Sequence, residues 1–377
     1  MTKPKKKFTV LLLSAPIGSG HLMAAEALQE VLTKYDNVEV INGSAFDFFP
    51  KILGDAILAG YFGILKHCPV LYKIAYKWSN TGDNSVWLRD FLNWLLSYLA
   101  QGYFDKHEPD AVLVTHPTPA GVVSQYKMRR SNKIILGAVI TDFSFHNWWI
   151  YPGLDYYFVD NALIQAPAAL NVPAIVTGIP VRSQFSEEFD RVAWRGKFGF
   201  TEKDTVCLLI GGGDGLLPMA QLVRALTEMA PIPGLEMIAV TGRNKKLSRI
   251  LEQRKLPNIR IFDFTEQLPQ LMRSADVVIS KAGGLTSAET LTVGAEFILY
   301  DPLPGQEVCN SEYLAKHCEA KIAASPKEVH DYVRTFAVLS MEEKNTMRRM
   351  RRKAFGKPLA AETIANFLIN KLESLDR

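Results

Sequence analysis

The chain has 377 residues, 48% hydrophobic and 22% charged, with 43 Lys+Arg against 39 Asp+Glu. At about 100–200 residues per domain this length predicts two domains, and the composition excludes a disordered or fibrous chain. A net charge of +4 is too small to call for nucleic acid, and the scattered cysteines (Cys68, Cys207, Cys309, Cys318) form no CxxC pair, which excludes a zinc ribbon or a disulfide framework and fits a reducing cytoplasm.

The N-terminus sets basic residues before an apolar run, the outline of a signal peptide. The run covers only 8–13 and leads into a glycine turn, so a buried strand is expected instead. No uninterrupted apolar stretch of about 18 residues occurs, and no membrane-spanning helix is expected. Strand 8–14 leads to helix 22–32, then to strands 38–42, 111–115, 134–140, 156–159 and 174–176. A basic helix near 189–198 precedes a second series of strands at 206–210, 237–241, 259–262, 277–280 and 297–300, with helices between them. Short apolar strands joined by helices predict parallel sheets buried on both faces, here two doubly wound domains facing a cleft. The boundaries expected are 1–180, 181–357 and a final helix within 358–377. Residues 46–99 break the alternation with aromatics interleaved with lysines, and a helical insertion is expected there. Core packing is the commoner use of such aromatics; a lipid-facing surface is the functional alternative.

Five segments carry chemistry, each following a strand. Ser14-Ala-Pro-Ile-Gly18-Ser-Gly20-His21 opens a helix. Gly18 and Gly20 let a ligand approach backbone N–H groups, and His21 stands where an imidazole can take a proton from a hydroxyl. Met23 occupies the third glycine position of a dinucleotide fingerprint, and no GK[ST] follows, so neither a dehydrogenase nor a P-loop is indicated. Gly211–Gly215, with four glycines in five residues, is a natural seat for phosphate. In Ser280-Lys-Ala-Gly283-Gly284-Leu-Thr286-Ser287-Ala-Glu289, two glycines free the backbone and two hydroxyls can donate to phosphate. Glu289 there can accept both hydroxyls of a ribose. Gln306 and Glu307, after Pro304-Gly305, suit sugar hydroxyls. Thr141-Asp142 through His146, with Trp148 and with His116 on the preceding strand end, adds ionisable groups to the first domain. Taken singly, Asp142, His146 and His116 are each more often structural than catalytic.

Together these residues resemble glycosyltransferase family 28, and within it the monogalactosyldiacylglycerol synthase and processive diacylglycerol glucosyltransferase branch. The resemblance covers nearly the whole chain and is most specific over 264–310. It departs from the family's GGGHxxAA pattern by reading GSGHLMAA, which keeps His21, Ala24 and Ala25. It implies a GT-B fold with a UDP-sugar held by the second domain. The backbone of Phe264 to Leu268 would read uracil, and Glu289 would hold the ribose. Gly213, Gly283, Gly284, Thr286 and Ser287 would face the diphosphate, and Gln306 with Glu307 the hexose. Gly18, Gly20, His116 and Trp148 would lie on the acceptor side, with His21 as base, assisted by Asp142 or His146.

The activity implied is inverting transfer of glucose or galactose from UDP-glucose or UDP-galactose to diacylglycerol, without a metal or other cofactor. The location implied is cytoplasmic, peripheral on the inner face of the cell membrane. Two segments are candidates for an anionic membrane surface: the aromatic insertion, and the run 344–357 with seven basic residues and no acid, which is as often a solvated helix face. Transfer to a polyprenyl-linked lipid, a UDP-sugar epimerase and a non-enzymatic UDP-sugar sensor are the competing readings.

Overall fold

The computed structural model describes residues 6–15, 19–44, 47–48, 83–131, 133–164 and 171–376, without the side chains of 83–86 and 88. Most of the predicted insertion, and Gly18, lie outside these residues. The chain divides into two compact units, Met1–Arg182 with Leu359–Arg377, and Ser183–Pro358.

The first unit holds β1 (Phe8–Ser14), β2 (Val38–Ser44), β3 (Ala111–Val114), β4 (Ile135–Val139), β5 (Tyr156–Val159) and β6 (Ala174–Val176). Its described helices begin with α1 (Ser19–Leu32), α2 (Asp83–Leu99), α3 (Gln101–His107) and α4 (Pro117–Arg130). The second unit holds β7 (Thr205–Ile210), β8 (Leu235–Val240), β9 (Ile259–Phe262), β10 (Val277–Ser280), β11 (Glu296–Tyr300) and β12 (Lys321–Ala323). Its helices are α5 (Arg191–Lys197), α6 (Met219–Glu228), α7 (Lys245–Glu252), α8 (Leu268–Ser274), α9 (Gly284–Val293), α10 (Gln306–His317), α11 (Pro326–Ala337) and α12 (Met341–Phe355). The last helix, α13 (Ala360–Leu375), belongs to the first unit.

Each unit is built on one parallel six-stranded sheet, ordered β2-β1-β3-β4-β5-β6 in the first and β12-β11-β10-β7-β8-β9 in the second. The central strands read as continuous apolar runs because both of their faces are covered. Leu11 and Leu13 of β1 enter one core with Val112, Val114 and Leu136, while Val10 and Leu12 enter another with Leu28 and Leu368. The second core comes from α1 and α13 on the opposite face. In the second unit Leu209, Met237 and Ile279 meet Leu222 and Val333. The strands β2, β6, β9 and β12 are less buried than the central ones. Strand β12 was not anticipated: at three residues with Lys321 and Ile322 exposed it has no apolar run to announce it.

Helix α2 is inverted relative to a water-soluble amphipathic helix. Arg89, Asn93 and Ser97, spaced i, i+4, i+8, are buried against the body of the unit. Asn93 donates to the Tyr151 hydroxyl at 3.2 Å, and Arg129 of α4 donates to the Ser97 carbonyl at 3.0 Å. The opposite face shows Trp87 (70% exposed), Phe91 (48%), Trp94 (44%) and Tyr98 (47%). Their rings run in contact along the helix, with centroids 5.0–6.2 Å apart. Among the described residues no helix is long and apolar enough to cross a membrane.

The basic run of 344–357 is not an open patch at three of its positions. Lys344 is buried and donates to the Thr205 hydroxyl at 2.9 Å. Arg348 donates to the Ala275 carbonyl at 2.6 Å and to that of Arg273 at 2.9 Å. Arg351 is buried in an ion pair with Glu296. These side chains fasten α12 beneath the sheet. The carboxylate paired with Arg351, Glu296, is the first residue of β11 and lies outside the run.

Candidate active site

In a doubly wound sheet, the loops at the carboxyl ends of two adjacent strands whose chains leave in opposite directions open a crevice. In the first unit that point lies between β1 and β3. His21, in the first turn of α1, stands beside it. Its carbonyl accepts from the Thr115 hydroxyl at 3.0 Å, and its Nδ1 lies 2.9 Å from the Thr141 hydroxyl. Thr115 and Thr141 follow β3 and β4 and are 1% and 4% exposed. The His116 ring meets that of His21 edge-on, with centroids 4.9 Å apart. Gly20 lies in the same first turn of α1.

Burial pushes the His21 pKa down to about 4, partly countered by its bond with Thr115, so the ring is neutral at physiological pH. Burial, then the neighbouring His21, hold His116 well below the ordinary histidine range. The three rings differ in what their Nδ1 atoms meet. His116 caps α4, its Nδ1 accepting from the Thr118 N–H at 3.2 Å. His146, 7% exposed, caps the short turn Asn147–Trp149, its Nδ1 accepting from the Trp148 N–H at 3.1 Å. A neutral ring whose Nδ1 accepts carries its proton on Nε2 and is a donor there. His116 and His146 are therefore donors at Nε2, which leaves His21 as the ring able to present an acceptor. Burial, then the Arg89 charge, lower His146 to about 4. Asp142 is half-buried three residues past the end of β4, and Trp148 packs edge-on to His146 at 6.2 Å.

In the second unit the reversal lies between β7 and β10. The loops Gly211–Gly215 and 281–284 leave from these two strands. Gly215 has φ +63, and a Cβ there would sit 2.2 Å from the Thr241 carbonyl oxygen, so only glycine fits without strain. The Gly213 carbonyl accepts from the Arg243 N–H at 2.9 Å. Arg243 also pairs with Asp214 at 3.6 Å and lies 5.0 Å over the ring of Phe264, which is 51% exposed. One cation thus links the glycine loop to the segment ahead of α8, which begins at Leu268.

Helix α9 starts after Gly283 with no side-chain cap, so the N–H groups of its first turn, Gly284 and Thr286 among them, are available to an anion. Ser287 is fully buried and its hydroxyl has no hydrogen-bond partner among the described residues, an orphan beside those N–H groups. Glu289 points inward at 3% exposure. Helix α10 follows Gly305, which adopts φ +103, and opens with Gln306 and Glu307. The Glu307 carboxylate accepts from the Leu303 N–H at 2.6 Å and closes the loop. Burial raises its pKa, against the pull of that bond and of Lys281. Lys281 pairs with Asp301 at 3.8 Å, and the Asn310 amide donates to the Ala282 carbonyl at 3.0 Å, tying the loops after β10 and β11 together. Among the described residues no three His, Cys, Asp or Glu side chains converge as metal ligands.

Sequence reasoning passed over Arg243, Lys281 and Asp301. Each directly follows, or lies within three residues of, a predicted strand end, the position that singled out the other candidates.

The chain has relatives among known proteins. The chain is 27% identical to a processive diacylglycerol β-glucosyltransferase of Bacillus cereus over 96% of this chain and 93% of that one. It is 28% identical to a protein of the same name from Staphylococcus haemolyticus over 88% and 85%. MurG of Acinetobacter baumannii superposes with a TM-score of 0.65 at 16% identity over 96% and 99%, a likeness of fold that is GT-B. Residues 21–181 match the model of monogalactosyldiacylglycerol synthases and residues 206–364 that of the glycosyltransferase family 28 C-terminal domain. With both in order along one chain, the protein belongs to glycosyltransferase family 28, in its glycolipid-synthase branch, and is a UDP-sugar-dependent hexosyltransferase.

Proposed function

We propose that the protein transfers glucose from UDP-glucose to diacylglycerol at the inner surface of the cell membrane, inverting the anomeric centre to give a β-glycoside. Glucose is favoured over galactose by the names of the relatives, which specify a β-glucosyltransferase. The observation that carries the lipid acceptor is the inverted helix α2. An apolar aromatic face held in water is unfavourable, and a lipid interface offers it cover.

In this reading His21 takes the acceptor hydroxyl proton on Nε2. The acceptor oxygen forms its bond to the sugar C1 as the bond from C1 to the UDP oxygen breaks, and UDP leaves with the electron pair. The N–H groups at the start of α9, with Thr286 and Ser287, meet the charge that develops on the leaving diphosphate. Gly213 lets the phosphates approach the backbone. Phe264 and Leu268 flank uracil, Glu289 holds the ribose, and Gln306 and Glu307 hold the hexose. Asp142, His146, His116 and Trp148 shape the acceptor side, with Gly18 and Gly20 giving the turn its room. The two domains expected at 1–180 and 181–357, and the helix beyond, would serve acceptor and donor in turn.

The test is a transfer assay with diacylglycerol in anionic vesicles and radiolabelled UDP-glucose or UDP-galactose, with His21→Ala as control. Label extracted into chloroform from UDP-glucose, and lost with His21→Ala, is the expected result. Label remaining in water while UDP still binds would remove diacylglycerol as the acceptor.

A further inference from the structure

We infer that Thr141 is a positioning residue for His21. Its hydroxyl accepts the Nδ1–H bond and so fixes the ring in the tautomer that leaves Nε2 as the acceptor. The inference rests on the reading of His21 as the base.

The argument starts from the neutral ring. A neutral imidazole has one donor nitrogen and one acceptor nitrogen, and the partner of one fixes the role of the other. In many enzymes a carboxylate beside Nδ1 makes that choice, because it can only accept. Here the atom at 2.9 Å from Nδ1 is the Thr141 oxygen, a neutral group able to give or to take. Only if it takes does Nε2 have a lone pair for a substrate proton.

The setting favours a fixed arrangement. Thr141 is 4% exposed, just past the end of β4, and the His21 main chain is held separately by Thr115. Backbone and ring of His21 are thus anchored from two neighbouring strand ends. The adjacent titratable ring, His116, already has its Nδ1 engaged by Thr118 and competes for neither role.

The threonine in place of a carboxylate has a consequence. It orients the ring without stabilising the imidazolium, in keeping with the depressed basicity of His21. The contribution of Thr141 is therefore to geometry and tautomer, and its loss should slow turnover without weakening donor binding.

Two measurements on the full chain test this. The first is nitrogen NMR of protein carrying 15N-histidine, with His21 identified among the seven histidines by its disappearance in His21→Ala. The expected wild-type signature is a protonated Nδ1 and an unprotonated Nε2, lost in Thr141→Val. A wild-type His21 protonated on Nε2 would overturn the inference, and this readout needs no turnover.

The second is kinetics of the transfer reaction. Thr141→Val should lower kcat by about tenfold to a hundredfold, with KM for UDP-glucose within about twofold of wild type. Thr141→Ser should recover most of the rate, and Thr141→Val added to His21→Ala should cost nothing further. A Thr141→Val enzyme at full rate, a serine variant as slow as the valine one, or additive losses would each overturn it. If the wild-type protein transfers no sugar, the transferase reading fails, while the NMR signature still decides the role of Thr141.

Discussion

Asp276 offers a direct test of how the second unit is held together. It precedes β10, is 4% exposed, and accepts from Arg191 at 2.5 Å, from Arg195 at 3.2 Å and from the Val206 N–H at 2.8 Å. Burial alone would raise its pKa; the two guanidiniums and the N–H overcome that and hold it below the ordinary carboxylate range. Lys344 and Arg348 of α12 also lie in its field. Burial, then Arg191, lower the Arg348 pKa to about 9, against the pull of Asp276. Asp276→Asn keeps the shape and an acceptor for Val206 but leaves the cations uncompensated. Removing one partner of a buried ion pair costs about 3–5 kcal/mol. At a urea dependence of about 2–3 kcal/mol per molar this moves the unfolding midpoint down by about 1–2.5 M. Hydrogen exchange in urea, read by mass spectrometry, resolves the two units. Peptides covering β7 and β10 should lose protection at the lower midpoint, while those covering β1 and β3 should not. A shift below about 0.5 M in the β7 and β10 peptides would refute the view that these cations depend on Asp276.

Three further outcomes are expected. Gly215→Ala should weaken UDP binding by at least about tenfold in calorimetry, because its Cβ collides with the Thr241 carbonyl; Gly212→Ala, also at positive φ but facing open space, should cost only about 1 kcal/mol of stability. Equal effects of the two would show that the close approach is unimportant. Stability of the first unit should fall as pH drops from 6.5 towards 4. Over that range the unfolded chain binds protons at His21 and His146 that the folded chain does not, so unfolding becomes easier with each step down in pH. The ceiling is about 3 kcal/mol for each ring, and a thermal midpoint unchanged between pH 7 and 4.5 would contradict it. Replacing Trp87 and Trp94 by serine should lower partitioning onto anionic vesicles by about tenfold or more while leaving UDP binding intact. Unchanged partitioning would remove α2 from the membrane contact.

The sequence shows the sheets more plainly than the site. Strands such as Phe8–Ser14 and Val277–Ser280 are legible because burial on both faces demands apolar residues, and glycines follow each in the sequence. Edge strand Lys321–Ala323 escapes notice because one flank meets water. The basic run was ambiguous for a related reason. Composition records seven cations but not that Lys344, Arg348 and Arg351 point at carbonyls, a hydroxyl and a carboxylate supplied by distant residues. Helix α2 shows the same limit in reverse. Its aromatics read as core by composition, yet the buried face is the row Arg89, Asn93 and Ser97. Pattern alone cannot say which face of a helix has found a polar partner.

The roles of the histidines turn on one hydrogen bond each, a scale below any sequence pattern. His21, His116 and His146 all follow strands of the same sheet, and all three are kept neutral by burial. What separates them is whether Nδ1 meets a backbone N–H or a hydroxyl. A backbone N–H can only donate, so it converts His116 and His146 into donors at Nε2. A hydroxyl imposes no such choice, and His21 alone keeps the option of accepting a proton there. The second unit, proposed to hold the donor, offers another resource: an uncapped helix start after Gly283 and an orphan serine hydroxyl. Those groups stabilise negative charge without themselves changing protonation, whereas a base must change it. In the proposed mechanism, proton transfer thus falls to a ring held by a neutral partner, and charge stabilisation to dipoles fixed by the fold.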